Sequence, residues 1–191
     1  MNASPVDAAS KRGTPTLLAI DAVLFLLLLA ACIVARVNAP QWPRVFHFPS
    51  TLMTTAIVMF GLGASALAPV AERSASKGDT KMAQRMIAVA VAMLLTVLFL
   101  LSLEWVRLYL FEQVHVFSNL YGIPALGLGY FGLTGYFALH VLAAAAWLTF
   151  ESQNPSAGRL RLAGRFVHLT NGLFVVAAPV LIFSAADLKG F

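Results

Sequence analysis

The chain has 191 residues, of which 60% are hydrophobic and 11% are charged, and its mean hydropathy is +0.83. This composition excludes a soluble globular protein, because most of the surface of such a protein would be apolar. A helix needs about 20 mostly apolar residues to cross a hydrocarbon core of about 30 Å. Five runs qualify: 17–35, 48–71, 84–108, 123–150 and 165–186.

The five runs predict an all-α fold, a polytopic membrane bundle of five transmembrane helices over residues 17–191. Residues 1–16 are polar and small, and we expect them to form a cytoplasmic tail. The net charge of +5 fits the positive-inside bias of membrane proteins rather than a nucleic-acid partner. Nine of the 13 Lys and Arg residues lie in the N-terminus and in the loops at 72–85 and 151–165. The sequence therefore predicts that the N-terminus lies inside and the C-terminus outside.

Asp21 is the only charged residue of the first run, about one helical turn from its cytoplasmic end. A charged side chain within a bilayer is costly unless it finds a partner, which makes this residue a candidate functional site. Two interpretations stay open. Either Asp21 pairs with a basic neighbour or with headgroup water, or it is a protonatable group near a proton-uptake route. Cys32, the only cysteine, cannot form an internal disulfide and is expected to be a packing residue.

Small residues predict close helix packing in the second and fourth runs. Gly61 and Ser65 lie four residues apart on one face of the second run. The fourth run begins with a series of glycines, among them Gly135. Because small residues allow two membrane helices to approach closely, we expect tight crossings at both places.

In the third run, Glu104 precedes Arg107 by three residues. Side chains at this spacing share a helix face, so an ion pair within the helix is the simple interpretation. The alternative is that Glu104 fastens the third helix to the fourth through His140 or Tyr136.

His140 and His168 raise the possibility of a haem with two histidine ligands. Counted from the inner ends of their runs, the two residues differ in depth by about 10 Å, which is awkward for two ligands of one iron. A hydrogen bond to a neighbouring helix is the more ordinary role of a buried histidine. His168 and Asn171 lie three residues apart and are expected to share a face, where they form a structural hydrogen bond between helices.

Residues 20–25, 104–105, 132–141 and 168–174 form four segments that together resemble subunit III of the haem–copper oxidases. Residues 132–141 (GLTGYFALHV) resemble the family signature TGFHGLHV, with Phe in place of its first His. Glu-Trp at 104–105 is similar to an acidic–aromatic pair in the preceding helix of the family. Residues 168–174 (HLTNGLF) are similar to HFVDVVW, and residues 20–25 (IDAVLF) resemble the segment that carries the family's intramembrane carboxylate. The four lie in the family's order, and five helices match its short bacterial form.

The resemblance implies a non-catalytic subunit of a proton-pumping terminal oxidase in aerobic respiration. Such a subunit lies in the prokaryotic plasma membrane and packs against the catalytic subunit I and other oxidase subunits. Haem and copper are expected in those partner chains, and this chain is expected to hold no cofactor or metal of its own, only bound phospholipid. Asp21 matches the carboxylate associated with proton uptake. Glu104, Arg107, Gly135, His140, His168 and Asn171 are expected to be structural residues between helices.

Three alternatives remain at this stage. The motifs are also compatible with an accessory subunit of a nitric oxide reductase, which is a close rival. A small membrane cytochrome could use His140 and His168 to hold haem b. A small transporter is disfavoured, because five helices without internal symmetry fit inverted-repeat architectures poorly.

Overall fold

The computed structural model describes residues 5–38, 51–117 and 124–182, with side chains over 16–35, 51–117 and 127–181. Each of its five helices contains a stretch long and apolar enough to cross a membrane. The predicted all-α fold is therefore confirmed, and the chain is a multi-pass membrane protein. The helices are α1 (Pro5–Asn38), α2 (Thr51–Ser76), α3 (Thr80–Leu110), α4 (Pro124–Ser152) and α5 (Ala157–Ile182).

Four of the helices form a closed bundle, and α1 lies outside it. Helix α2 packs on α3 and α5, and α4 packs on the same two helices. Helix α1 packs against α4 and, over a smaller area, against α5. Only 11% of its apolar stretch is buried, compared with 28–39% in the other four helices. The core between the four bundle helices includes Ile57, Leu94, Val97, Leu133, Phe137 and Phe174.

The turn between α2 and α3 is much shorter than the loop predicted at 72–85. It consists of Lys77, Gly78 and Asp79, and Gly78 has a φ of +80°, which residues with a side chain rarely adopt. Asp79 caps α3, because its carboxylate accepts a hydrogen bond of 2.9 Å from the backbone N–H of Met82. The two helices therefore extend well beyond their apolar stretches.

Helix α5 likewise begins at Ala157 rather than at 165. Helix α1 begins at Pro5, whereas its apolar stretch begins at Thr16, next to the predicted 17. Backbone hydrogen bonding in a helix does not stop where the apolar side chains stop. Polar side chains on these extensions pair with each other: Arg159 Nε donates to Glu151 at 2.6 Å, and Arg161 Nε donates to Glu72 at 2.7 Å.

Helix α1 runs antiparallel to α4 in one constant register. Cys32 Sγ lies 3.4 Å from the carbonyl oxygen of Gly129, and the ring of Phe25 lies 5.9 Å from that of Tyr136. Further along, Asp21 meets His140. The residue numbers of each pair have the same sum, as expected for two straight helices packed side by side. This register decides which polar side chains meet.

Candidate functional site

The register of α1 places Asp21 opposite the middle of α4, not near the end of the bundle. Its partner His140 is about three turns, or about 18 Å, from the end of α4 at Ser152. In α1 itself, Asp21 lies little more than one turn beyond the start of the apolar stretch at Thr16, as its place in the first run predicted. The hydropathy of a single helix cannot show how that helix is shifted against its neighbour, and α1 continues for several turns before its apolar stretch begins.

Asp21, Tyr136 and His140 form a polar cluster between α1 and α4. His140 Nε2 lies 2.7 Å from Asp21 Oδ1, and the Tyr136 hydroxyl donates a hydrogen bond to the same oxygen. His140 Nδ1 lies 2.8 Å from the carbonyl oxygen of Tyr136, one turn earlier in α4. One carboxylate oxygen of α1 is thus contacted by two side chains of α4.

The polar cluster contains two stacked rings and packs against a third ring from α5. The rings of Tyr136 and His140 are stacked at 4.3 Å, and Phe166 of α5 lies 5.7 Å from His140. The Asp21 and His140 side chains are 19% and 20% exposed, so one edge of the cluster reaches the surface of the helix bundle. The cluster is therefore enclosed by apolar groups but is not sealed inside the core.

The hydrogen bonds determine the tautomer of His140. The carbonyl oxygen of Tyr136 can only accept a hydrogen bond, so His140 Nδ1 must carry a proton and donate it. His140 Nε2 then either accepts a proton from a neutral Asp21 carboxyl group or donates one to the carboxylate. Sequence reasoning singled out both residues but did not pair them.

Glu104 and Arg107 form the ion pair that their spacing predicts. The Glu104 side chain is 1% exposed, and its two oxygens accept hydrogen bonds of 3.0 and 2.8 Å from Arg107 Nε and Nη2. A third bond, of 2.9 Å, runs from Arg107 Nη1 to Glu112. The alternative pairing of Glu104 with His140 or Tyr136 is wrong, since both of these side chains bond Asp21 instead.

A hydrogen-bond chain that sequence reasoning missed joins α3 to α4. Trp105 Nε1 donates to Thr134 Oγ1 at 3.0 Å, and the Thr134 hydroxyl donates in turn to the carbonyl oxygen of Tyr130 at 2.7 Å. Thr134 is fully buried. A Trp and a Thr at similar depth in consecutive spans are the signal that could have indicated this bond.

Asn171 and His168 do not act together. Asn171 is buried at 3% exposure and donates a hydrogen bond of 3.0 Å to Ser65 of α2, whereas the His168 side chain is exposed. Residues three positions apart are still separated by about 60° around a helix, so one can face the core while the other faces outward. The expected inter-helix bond exists, but Asn171 forms it without His168.

Two of the glycines that the sequence indicated for close packing, Gly61 and Gly129, lie at close helix contacts, but Gly135 does not. A Cβ atom added at Gly135 would meet nothing within 4 Å, so the expected tight crossing there is wrong. A Cβ atom at Gly61 would lie 2.7 Å from Asn171 Oδ1, and one at Gly129 would lie 3.2 Å from Cys32 Sγ. The prediction for Gly61 and Ser65 is confirmed, because both meet Asn171 at the crossing of α2 and α5.

The geometry gives no support to the haem-b alternative. Both ring nitrogens of His140 are engaged by protein oxygens, so neither is left to bind iron. Within the ranges that the structure describes, no three His, Cys, Asp or Glu side chains are grouped in a way that could hold a metal ion.

No family model and no curated protein matches the chain.

Proposed function

We propose that the chain is a non-catalytic accessory subunit, similar to subunit III, of a proton-pumping haem–copper terminal oxidase in a prokaryotic plasma membrane. One observation supports this above the others. The four segments that resemble the family come from four different helices, and three of them contact the fourth, residues 132–141 of α4. The resemblance therefore falls on residues that are in contact with one another in the fold.

The contacts between these segments are specific. Asp21 of the first segment bonds His140, and Trp105 of the second bonds Thr134. From the last segment, the ring of Phe174 stacks on that of Phe137 at 4.1 Å and an interplanar angle of 16°. Phe137 stands where the family signature has its first histidine, and Phe174 stands where the family has tryptophan. The two departures from the family pattern thus touch each other, which supports a compensated pair of substitutions.

Asp21 is the residue to which we assign the support of proton uptake. Its carboxyl group is held by two side chains of α4, and part of it is exposed at the edge of the bundle. A carboxyl group fixed at such an edge can raise the local proton concentration for a neighbouring subunit. Electron transfer and oxygen reduction would take place in partner chains that hold haem and copper.

The peripheral position of α1 also supports a subunit that works within a complex. Most apolar side chains of α1 lie on the surface of the described structure, where lipid or a partner helix can cover them. Exposed examples are Leu17, Val23, Leu24, Leu27 and Val34.

The proposal is tested by purifying the tagged chain from its own membranes in a mild detergent, followed by optical spectra and identification of the partners. We expect a large haem-bearing subunit to co-purify, oxygen consumption by the complex, and no visible absorbance from this chain once it is separated. Untagged membranes carried through the same steps are the control. Consumption of nitric oxide instead of oxygen would assign the chain to a reductase. A chain that elutes alone, or that is itself coloured, contradicts the proposal.

A further inference from the structure

We propose that Asp21 and His140 together bind one exchangeable proton, so that His140 is the proton-carrying partner of Asp21 rather than a structural residue. The inference depends on the geometry of the polar cluster between α1 and α4. It holds whether or not the chain serves an oxidase.

The first step is the assignment of the outer hydrogen bonds of the pair. His140 Nδ1 is committed as a donor to the Tyr136 carbonyl oxygen at 2.8 Å. The Tyr136 hydroxyl is committed as a donor to Asp21 Oδ1. With these two protons placed, the remaining contact of the pair is the one between His140 Nε2 and Asp21 Oδ1, at 2.7 Å.

The second step is to count the protons in that contact. With no proton between them, two lone pairs would face each other at 2.7 Å, and with two protons, two donors would face each other. Only one proton gives a hydrogen bond. It resides either on Oδ1, which gives a neutral acid and a neutral imidazole, or on Nε2, which gives a carboxylate and an imidazolium. Transfer between the two arrangements moves one proton across one hydrogen bond and breaks no other bond.

The third step concerns charge. The pair has a net charge of zero in both arrangements, whereas loss of the proton leaves −1 and gain of a second leaves +1. Only the one-proton arrangement therefore puts no net charge next to the apolar side chains around the pair. The Tyr136 hydroxyl stabilises negative charge on Oδ1, and its own proton remains in the hydrogen bond that it donates.

No other described charged group faces the pair. Asp21 is the only charged residue in the apolar stretch of α1, and the charged residue of α4, Glu151, is paired with Arg159. From α5, the side chain against His140 is the aromatic ring of Phe166. The remaining titratable side chains of α5 are either paired on its extension, as Arg161 is, or exposed, as Arg165 and His168 are.

The fourth step is access to water or to a partner. The two side chains are 19% and 20% exposed at the edge where α1 meets α4, so a water molecule or a partner side chain at this edge can contact the pair while the core stays closed.

The test uses proton-detected magnetic resonance on the full chain in phosphatidylcholine bilayers, with isotope-labelled histidine and aspartate. We expect one proton resonance that correlates with both His140 Nε2 and the carboxyl carbon of Asp21, and a second proton on His140 Nδ1. The His140→Asn variant assigns the signals. In Asp21→Asn the correlation with the carboxyl carbon should be lost, while the His168 signals stay in place.

Two results from the unmodified chain would overturn the inference. One is a His140 ring with its proton on Nε2 and none on Nδ1. The other is the absence of any proton that joins Nε2 to the Asp21 carboxyl carbon. Exchange is tested by transfer to heavy water, in which the shared proton should disappear before the backbone amide protons near Leu94 and Val97 in the core. A shared proton that persists as long as those amide protons would show that it is not exchangeable.

Discussion

At the scale of single residues, burial separates ion pairs that matter for stability from those that do not. Glu104 is 1% exposed and is held through both oxygens by Arg107, which is 26% exposed. Glu72 and Arg161, in contrast, are 23% and 61% exposed. The energy of an ion pair depends on the surroundings of the group that stays when its partner is removed. Of these two acids, Glu104 is the buried one.

We therefore expect Arg107→Met to lower the free energy of unfolding by about 3 kcal/mol, because it removes both Arg107 hydrogen bonds from a buried carboxylate. Arg161→Met removes the same functional group from an exposed pair and should cost less than about 1 kcal/mol. Both values are measured by denaturant titration of the purified chain in detergent micelles. Equal losses for the two variants would show that Glu104 does not depend on Arg107.

The Asp21→Asn variant separates the structural role of Asp21 from its proposed role in proton uptake. The amide retains a donor and an acceptor, so α1 should stay on α4, but the exchangeable proton is lost. Under the proposed function, the oxidase complex should then lose activity several-fold sooner during turnover. Activity is followed as oxygen consumption over many turnovers. Asp79→Asn is the control, since Asn caps a helix about as well as Asp.

The position of α1 in this variant can be measured separately. A Cβ atom at position 129 would lie 3.2 Å from Cys32 Sγ, so Gly129→Cys should form a disulfide with Cys32 when α1 is docked. We expect cross-linking in Asp21→Asn to match that of the parent. If the turnover lifetime is unchanged while α1 remains docked, Asp21 has no part in proton uptake.

At the scale of helices, the crossing of α2 and α5 depends on the small size of Gly61. The Asn171 side chain occupies the space above this glycine and bonds Ser65 on the next turn of α2. Its Oδ1 atom is buried without a hydrogen-bond partner within the described structure. A buried amide at a close crossing leaves little room for adjustment on either helix.

Gly61→Ala should therefore lower the free energy of unfolding by about 1–3 kcal/mol, the usual cost of overpacking. Gly135→Ala adds the same methyl group in open space and should be neutral or stabilising by up to about 1 kcal/mol, because alanine favours the helix. Thermal unfolding in micelles compares the two. The Gly61→Ala defect should shrink in an Asn171→Ala background, and an equal defect in both backgrounds would place the clash elsewhere.

The existence of the five helices could be predicted from the sequence, but their ends and closest crossings could not. Long apolar runs are sufficient to indicate membrane helices, and all five were confirmed. Their ends extend further, since residues such as Arg159 and Arg161 remain helical while they pair at the surface. A glycine permits a close approach without requiring one, so Gly135 and Gly61 were indistinguishable until the neighbouring helix was known.

At the scale of the whole molecule, the cluster of Asp21, Tyr136 and His140 shows what sequence reasoning could and could not provide. Asp21 and His140 were both recognised as polar residues that need a partner. Their pairing depends on helices that are 119 residues apart in the chain, and on a register that no local pattern encodes. The rule that isolated polar groups in a membrane seek each other could have suggested the pair.

An odd number of spans, such as the five in the described residues, predicts termini on opposite sides of the membrane, and the charge distribution predicts which side is which. Two single-cysteine variants in a Cys32→Ser background test this orientation. Lys77→Cys places the cysteine in the turn between α2 and α3, and Phe117→Cys places it beyond the other end of α3. An impermeant maleimide applied to intact spheroplasts should label the second variant, and should label the first only after lysis. The reverse pattern would invert the predicted orientation.

The position of α1 outside the bundle has a consequence for biosynthesis. Helix α1 leaves the ribosome first, yet His140 follows Asp21 by 119 residues. At translation rates of about 5–20 residues per second, that interval lasts on the order of ten seconds. During this time the carboxyl group of the nascent chain is in or near the bilayer without its partner, and only water, lipid headgroups or another membrane protein can satisfy it. The newly inserted helix therefore has to be sheltered until α4 arrives.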